Sequence, residues 1–367
     1  MKSDAKTAII FSNIHWHSTW QRHHHVAAQL AREGYRVLYV EPLPKRWPAL
    51  GEWKRLMSRL LNHPSGAGTC PQVEISGVEI FSPKLFPDSG PAAQAVNQRF
   101  FIPGILNKIL AWLQGSRPLV ITYLPSRAIL TLVKKLPAQT RIYDCVCDWA
   151  HDPYAATATL YEEELVKVSD RVIADSPHNL KRMQALHGAV IQIEGGVDYD
   201  FFEPARREKK RGNPPLCVYY GDIGVHTDLD LLAKVSERYR LRLIGPVRLP
   251  LKNFSKETEI LGAVPYERLP GLLTEADVLL LPYRNTPHNQ GVLPAKTFEC
   301  LATGKPTVAI HLPSLAVYGK LFYLSRDHED FLKNIDQSAF EEVSLRQERL
   351  RAAQENSWDR KAASFLC

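Results

Sequence analysis

Residues 277–304 read DVLLLPYRNTPHNQGVLPAKTFECLATG, and the order of elements in that stretch decides the fold. Asp277–Tyr283 is dominated by an unbroken apolar run, the pattern of a strand buried on both faces. Arg284–Leu293 is polar and contains Gly291, so it reads as a loop. Pro294–Gly304 suits a helix, with Pro294 at the first helical position and Gly304 just past the end. A buried strand, a loop and a returning helix make the repeating unit of a parallel α/β sheet. Lys296 and Glu299, three residues apart, share one face of that helix.

The same alternation runs through the rest of the chain. TAIIFS (7–12), a helical stretch over 20–33 stopped by Gly34, and YRVLYV (35–40) form the first unit. Strand-like runs follow at 119–124, 141–146, 171–175 and 190–194. The segment DFFEPARREKKRGNPP is charged, then rich in Gly and Pro, and marks a linker. A second series begins at LCVYY (216–220) and ends in a polar helical tail over 340–365. The expected class is α/β: two doubly wound domains facing across a cleft, with ligands at the carboxyl ends of the strands. The boundaries read as 1–198 for the first domain, 199–215 for the linker, 216–345 for the second domain, and 346–367 for a C-terminal helix.

The 367 residues have length for two domains, and 45% hydrophobic with 23% charged residues is a globular balance. No run approaches 18 apolar residues, so no membrane-spanning helix is expected, and the N-terminus lacks a secretory pattern. Six cysteines without a C-x-x-C pair fit reduced, buried thiols in a cytoplasmic protein and offer no zinc knuckle. The net charge of +7 is mild, but two stretches concentrate it. One is 206–211. The other is 45–61, where Lys45, Arg46, Lys54, Arg55 and Arg59 interleave with Trp47, Trp53 and Leu56 at helical spacing. That second pattern fits either an anionic membrane surface or a surface helix packed on the core. No aromatic platform or groove-reading motif accompanies the basic residues, so nucleic acid is not an expected partner.

The first strand-to-helix turn, Ser12–Trp20, contains no glycine, which excludes the G-x-G-x-x-G dinucleotide turn and its dehydrogenases. Its His15, Trp16 and His17, with Arg22, suit an uncharged acceptor. His23, His24 and His25 follow, but consecutive residues fan about 100° apart on a helix and cannot all hold one ion, so no metal site is expected. In the second series, Gly221-Asp222-Ile223-Gly224 stands between a strand and a helix, where backbone N–H groups can face a phosphate. Lys296 and the helix end suit a diphosphate, and Glu299 suits ribose hydroxyls.

Taken together, ADVLLLPY and GVLPAKTFECLATGKPTVA resemble the donor-site segment of the GT-B glycosyltransferases, family-4-like members in particular. IEGGVDYDFFEP (193–204) is similar to their interdomain motif, with Gly195 at the usual Asn position. DRVIADSPHNLKRM (170–183) resembles the segment before it, whose serine begins a helix. IYDCVCDW (142–149) resembles a stretch of the bacterial cell-surface polysaccharide branch, the teichuronic acid and capsule transferases, and Asn356-Ser357-Trp358 also fits. The resemblance implies an acceptor-binding first domain, a donor-binding second domain and a C-terminal helix packing back on the first domain, with a nucleotide-diphosphate sugar of UDP or GDP type as substrate, no separate cofactor, no metal, and a glycan or lipid-linked acceptor. It implies donor contacts from Gly221, Gly224, Arg284, Gly291, Val292, Leu293, Lys296 and Glu299. Gly291 stands where the family places the first of two glutamates. Asp148 falls where the family places a His or Asp near the acceptor hydroxyl, with Asp144 and Asp152 as rivals. The expected setting is the cytoplasm, peripheral at the inner membrane face. Two other readings stay open: a degenerate nucleotide- or glycan-binding subunit, and a sugar-nucleotide epimerase.

Overall fold

The computed structural model describes residues 6–18, 20–43, 74–87, 90–151 and 157–366. The basic segment 45–61 and Asp152 lie outside the described residues. The chain divides into two units, Met1–Ile193 and Glu194–Cys367.

The first unit carries seven parallel strands: β1 Thr7–Phe11, β2 Arg36–Val40, β3 Val78–Phe81, β4 Leu119–Thr122, β5 Thr140–Cys145, β6 Arg171–Ala174 and β7 Val190–Gln192. Their order is β3-β2-β1-β4-β5-β6-β7, which reverses direction between β1 and β4. That switch point is where such sheets open a crevice beyond the strand ends. β1 is buried along its whole length because helices cover both faces of a parallel sheet. β3, at the edge, is half-exposed and lacks the apolar run that betrays the inner strands. The helices between these strands include α1 Arg22–Arg32, α2 Ile102–Leu113, α3 Arg127–Lys135, α4 Thr159–Val168 and α5 Pro177–Gln184.

The second unit repeats the plan with six parallel strands. These are β8 Leu216–Tyr220, β9 Arg240–Ile244, β10 Glu259–Gly262, β11 Val278–Leu281, β12 Thr307–Ile310 and β13 Tyr323–Ser325, in the order β10-β9-β8-β11-β12-β13. Its switch point lies between β8 and β11. Its longer helices include α6 Leu229–Arg238, α7 Thr297–Thr303, α8 His328–Gln337, α9 Val343–Glu355 and α10 Trp358–Leu366.

The 277–304 stretch folds as strand, loop and helix, with one correction. The helix α7 begins at Thr297, and Pro294 is not its first residue. The Pro294 carbonyl accepts both the backbone N–H (2.9 Å) and the hydroxyl (2.6 Å) of Thr297, closing a turn that precedes the helix. Gly304 ends α7 in the left-handed conformation, as its position suggested. Within the stretch read as a linker, Asp200–Arg206 forms a 3-10 helix whose Phe202 and Ala205 are buried in the second unit's core.

Two quoted motifs meet in the second unit. Val197 N–H donates to the Asn356 carbonyl (3.1 Å) and Trp358 N–H donates to Val197 (2.9 Å). A Cβ on Gly196 would stand 2.8 Å from the Trp358 ring, so the indole lies directly on the backbone. Helix α9 packs against α7 and is anchored by Arg349, which is fully buried and bidentate to Glu341 (2.6 and 2.5 Å).

Candidate functional site

On the second unit, β8 leads into a turn at Gly221, whose φ of +120° disfavours a side chain. Its neighbour β9 leads into Gly245, with φ +139°. A Cβ on Gly245 would lie 1.9 Å from the Gly221 carbonyl oxygen, so two adjacent strands end in backbone-to-backbone contact. Lys296 lies across this corner: a Cβ on Gly221 would stand 2.3 Å from its Cε. The Lys296 Nζ donates to the Tyr283 hydroxyl at 3.0 Å and faces the rings of Tyr219, Tyr220 and Tyr283 at 5.2, 5.9 and 5.4 Å. Burial works against the ammonium, but Tyr219, Tyr283 and Glu299 outweigh it, and the pKa stands above the ordinary lysine value. A cation is thus held over ring faces at the mouth of a strand-to-helix turn.

Glu299 sits in the first turn of α7 and accepts a hydrogen bond from Tyr266 at 3.0 Å. Burial pushes its carboxyl upward in pKa, against the pull of Tyr266 and Lys296. Arg284 is exposed, its Nε 3.3 Å from the Thr227 carbonyl and its N–H on His226, which ties the 221–228 loop to the end of β11. Asn289 reinforces that tie by donating to His226 (3.1 Å) and Arg284 (2.7 Å). Gly224 lies against Asp222, which pairs with Arg248 at 2.9 Å. Gly291 caps the short helix Pro287–Gln290, the Val292 carbonyl accepts from Ser314, and the Leu293 side chain belongs to the core.

The first unit holds a second cluster, at the ends of β5 and β6. Asp148 is 5% exposed. One carboxylate oxygen accepts the Ala150 N–H at 3.2 Å, and the other lies 3.0 Å from His178 Nε2. His178 is the second residue of α5, which Ser176 caps by accepting from Asn179, and its side chain is 46% exposed. A buried carboxylate thus backs an accessible imidazole. Arg182, one turn on, approaches Asp148 at 4.0 Å and bonds chiefly to Glu162 (2.5 Å). Asp144 is fully buried and forms a bidentate pair with Arg22 at 2.8 and 2.9 Å. That pairing holds α1 to β5 and occupies the guanidinium.

The aromatic turn after β1 is built on Glu41, at the end of β2. Glu41 accepts from the Trp16 N–H (3.1 Å) and from Ser82 (2.5 Å), and lies 3.6 Å from His15 Nδ1. Burial would raise its pKa, but His15, Ser82 and the Trp16 N–H hold it down at about 2. His15 is 58% exposed, whereas Trp16 is buried against Trp20, His24 and Tyr39. His23, His24 and His25 separate as expected: His23 packs on Tyr123, His24 joins the Trp16 cluster, and His25 accepts from Trp20. Among the described residues, no group of three His, Cys, Asp or Glu side chains is placed to hold a metal ion.

The sequence pointed to Lys296, Glu299 and Asp148, and passed over Tyr219, Tyr266, Tyr283, Glu41 and His178. The tyrosines come from three elements that only the sheet brings together. His178 stands in Ser-Pro-His at a helix start, a signal for the helix that carries nothing to tie the imidazole to Asp148.

Two doubly wound parallel α/β units are the architecture of the GT-B glycosyltransferases. Residues 229–366 match the family model described as glycosyl transferase-like. In sequence, the chain is similar to TuaH of Bacillus subtilis (strain 168), named for glycosyl transfer in teichuronic acid biosynthesis. The two are 25% identical over 230 residues, covering 52% of this chain and 56% of that relative, so the match spans little more than half of its length. In structure, the chain is similar to sucrose-phosphate synthase from Thermosynechococcus elongatus (TM-score 0.70, 15% identity, 98% of this chain and 97% of that one). It is also similar to the catalytic domain of starch synthase IV from Arabidopsis thaliana bound to ADP and acarbose (TM-score 0.64, 10% identity, 99% and 98%). The resemblance read in the sequence is borne out. Among the described residues, no helix is long and apolar enough to cross a membrane.

Proposed function

We propose that the protein moves a sugar from a nucleotide-diphosphate sugar to an acceptor hydroxyl in the synthesis of a bacterial surface polysaccharide or glycolipid. The observation that carries this reading is Lys296 held over Gly221 by three tyrosines. The second unit takes the donor: Gly221 and Ile223 N–H are bonded to Ile244 and Pro246, so the turn's Asp222 and Gly224 N–H groups and the Lys296 ammonium face the diphosphate, and Glu299 accepts from ribose hydroxyls. The charge that develops on the leaving diphosphate is met by a fixed cation and oriented dipoles, and no divalent metal is required. ADP in the starch synthase relative and the name of the B. subtilis relative support a nucleotide donor and a surface polysaccharide.

Asp148 and His178 handle the acceptor hydroxyl. With Nε2–H donating to Asp148, the imidazole keeps a lone pair on Nδ1. If the reaction inverts the anomeric carbon, that lone pair takes the acceptor proton, a contribution of about 10²–10⁴-fold. If it retains configuration, the pair orients the acceptor. The Trp-bearing basic segment 45–61 supports a peripheral place at the inner face of a membrane carrying a lipid-linked acceptor.

The test is thermal stabilisation by a panel of UDP- and GDP-sugars, followed by assay of nucleoside diphosphate release. Stabilisation with release supports the transferase. Stabilisation without any release supports the degenerate binding subunit, for which Gly291 in place of a glutamate argues. No stabilisation overturns both.

A further inference from the structure

A second polar site lies on the donor unit at the opposite ends of its strands, away from Gly221. It is a cavity of about 280 Å³ where the chain enters β11 and β12 and where α7 ends at Gly304. Six cations line it: Arg206, Arg207, Lys209, Arg211, Lys305 and Arg346. The three carboxylates on its wall are all engaged. Asp277 accepts from Lys209, Gly212 N–H (3.2 Å) and Leu216 N–H (2.8 Å). Glu341 is taken by the buried Arg349, and Glu208 lies 3.4 Å from Arg346.

Three of the remaining cations, Arg206, Arg211 and Lys305, are fixed by main-chain carbonyls, with the Ser338 hydroxyl on Arg211, rather than by acids. Arg206 donates to the Ala302 carbonyl (3.0 Å) and stacks on the Tyr199 ring at 3.6 Å. Arg211 donates to Ile335 (3.0 Å). Lys305 donates to the carbonyls of Thr274 (3.1 Å) and Ala276 (2.9 Å), two of its three protons. The Arg207 guanidinium has no partner among the described residues. Burial, with Lys209 and Arg346 nearby, pulls the Lys305 ammonium down to about 8. Positive charge held in place and left uncompensated in a half-enclosed cavity is costly until an anion neutralises it.

We infer that this cavity binds a phosphate group, as free phosphate, a phosphate monoester or a phospholipid headgroup. The excess of guanidinium and ammonium donors, three of them fixed by the fold, matches a tetrahedral dianion that accepts from several directions. The inference rests on the cavity alone and is independent of the glycosyl-transfer reading.

The experiment titrates inorganic phosphate into the full chain by calorimetry at neutral pH and low salt, and measures co-sedimentation with anionic phospholipid vesicles. Three variants are compared with the natural chain: Arg207→Glu, Lys305→Met and Lys296→Met. Arg207 is exposed and holds no fold-bearing bond among the described residues, so Arg207→Glu keeps the inference testable if Lys305→Met fails to fold. Phosphate affinity is expected to fall at least about tenfold in Arg207→Glu and to stay within about twofold in Lys296→Met, with steep weakening as salt rises. Loss of vesicle binding in Arg207→Glu, with no free phosphate bound, assigns the same site to a headgroup. Affinity lost in Lys296→Met and kept in Arg207→Glu overturns the inference, because the phosphate is then on the Gly221 turn. Equal behaviour of Arg207→Glu and the natural chain toward both probes overturns it as well.

Discussion

The Lys296 side chain lies across Gly221, so close that a Cβ at 221 would fall 2.3 Å from Cε. The glycine at the end of β8 and the lysine at the start of α7 are one feature, although 75 residues apart in sequence. Gly221→Ala therefore acts twice: it places a side chain at φ +120°, which costs about 1–3 kcal/mol, and it pushes the ammonium off its tyrosine cage. Nucleoside diphosphate affinity is expected to drop about tenfold or more by titration calorimetry. An unchanged affinity would separate the glycine turn from the donor.

Asp148 and His178 are expected to fail together. Asp148→Asn and His178→Gln should each lower turnover by about 10²–10⁴-fold with nucleotide affinity intact. The double variant should lose little more than either single one, as groups acting as a unit do. Additive losses would show that the two act apart.

The aromatic turn of the first unit carries a pH signature. Burial lowers the His24 pKa from 6.5 to about 4, and its Nδ1 accepts the Gln21 N–H at 3.0 Å, which requires that nitrogen unprotonated. A histidine with a depressed pKa stabilises the fold fully above its ordinary value and loses that contribution as pH falls from about 6.5 through about 4. The loss amounts to about 3 kcal/mol. In His24→Gln that increment should vanish from the difference in urea stability between pH 7 and pH 4.5. An identical pH dependence in variant and natural chain would refute the neutral, buried state.

Arg349 ties α9 to the second unit through Glu341 and the Leu321 carbonyl. Arg349→Met leaves the Glu341 carboxylate without its partner and should cost about 3–5 kcal/mol in urea unfolding. Adding Glu341→Gln should recover part of that loss. A cost below 1 kcal/mol would mean that α9 is held by apolar packing alone.

Much of this was legible in the sequence, for identifiable reasons. The inner strands announced themselves as apolar runs because both their faces are covered, and β3 went unread because VEIF is a half-exposed edge. Lys296 and Glu299 were readable because helical spacing is local. Asp148 was readable because it follows a buried strand. Its partner His178 was not: 30 residues intervene, and only the pairing of β5 with β6 places α5 beside it. The tyrosines around Lys296 escaped because ring faces offer no spacing to recognise. The start of α7 was misread because a proline before a helix can serve the first turn or close the turn ahead of it, and here the Thr297 hydroxyl decides.

The measurement closest to the central claim is titration of UDP and GDP into the natural chain and into Lys296→Met, with the thermal midpoint of each recorded without nucleotide. The donor assignment predicts binding of one of the two nucleotides to the natural chain and at least about tenfold weaker binding to the variant at a similar midpoint. Equal affinity in both, or no binding of either nucleotide to the natural chain, would contradict it.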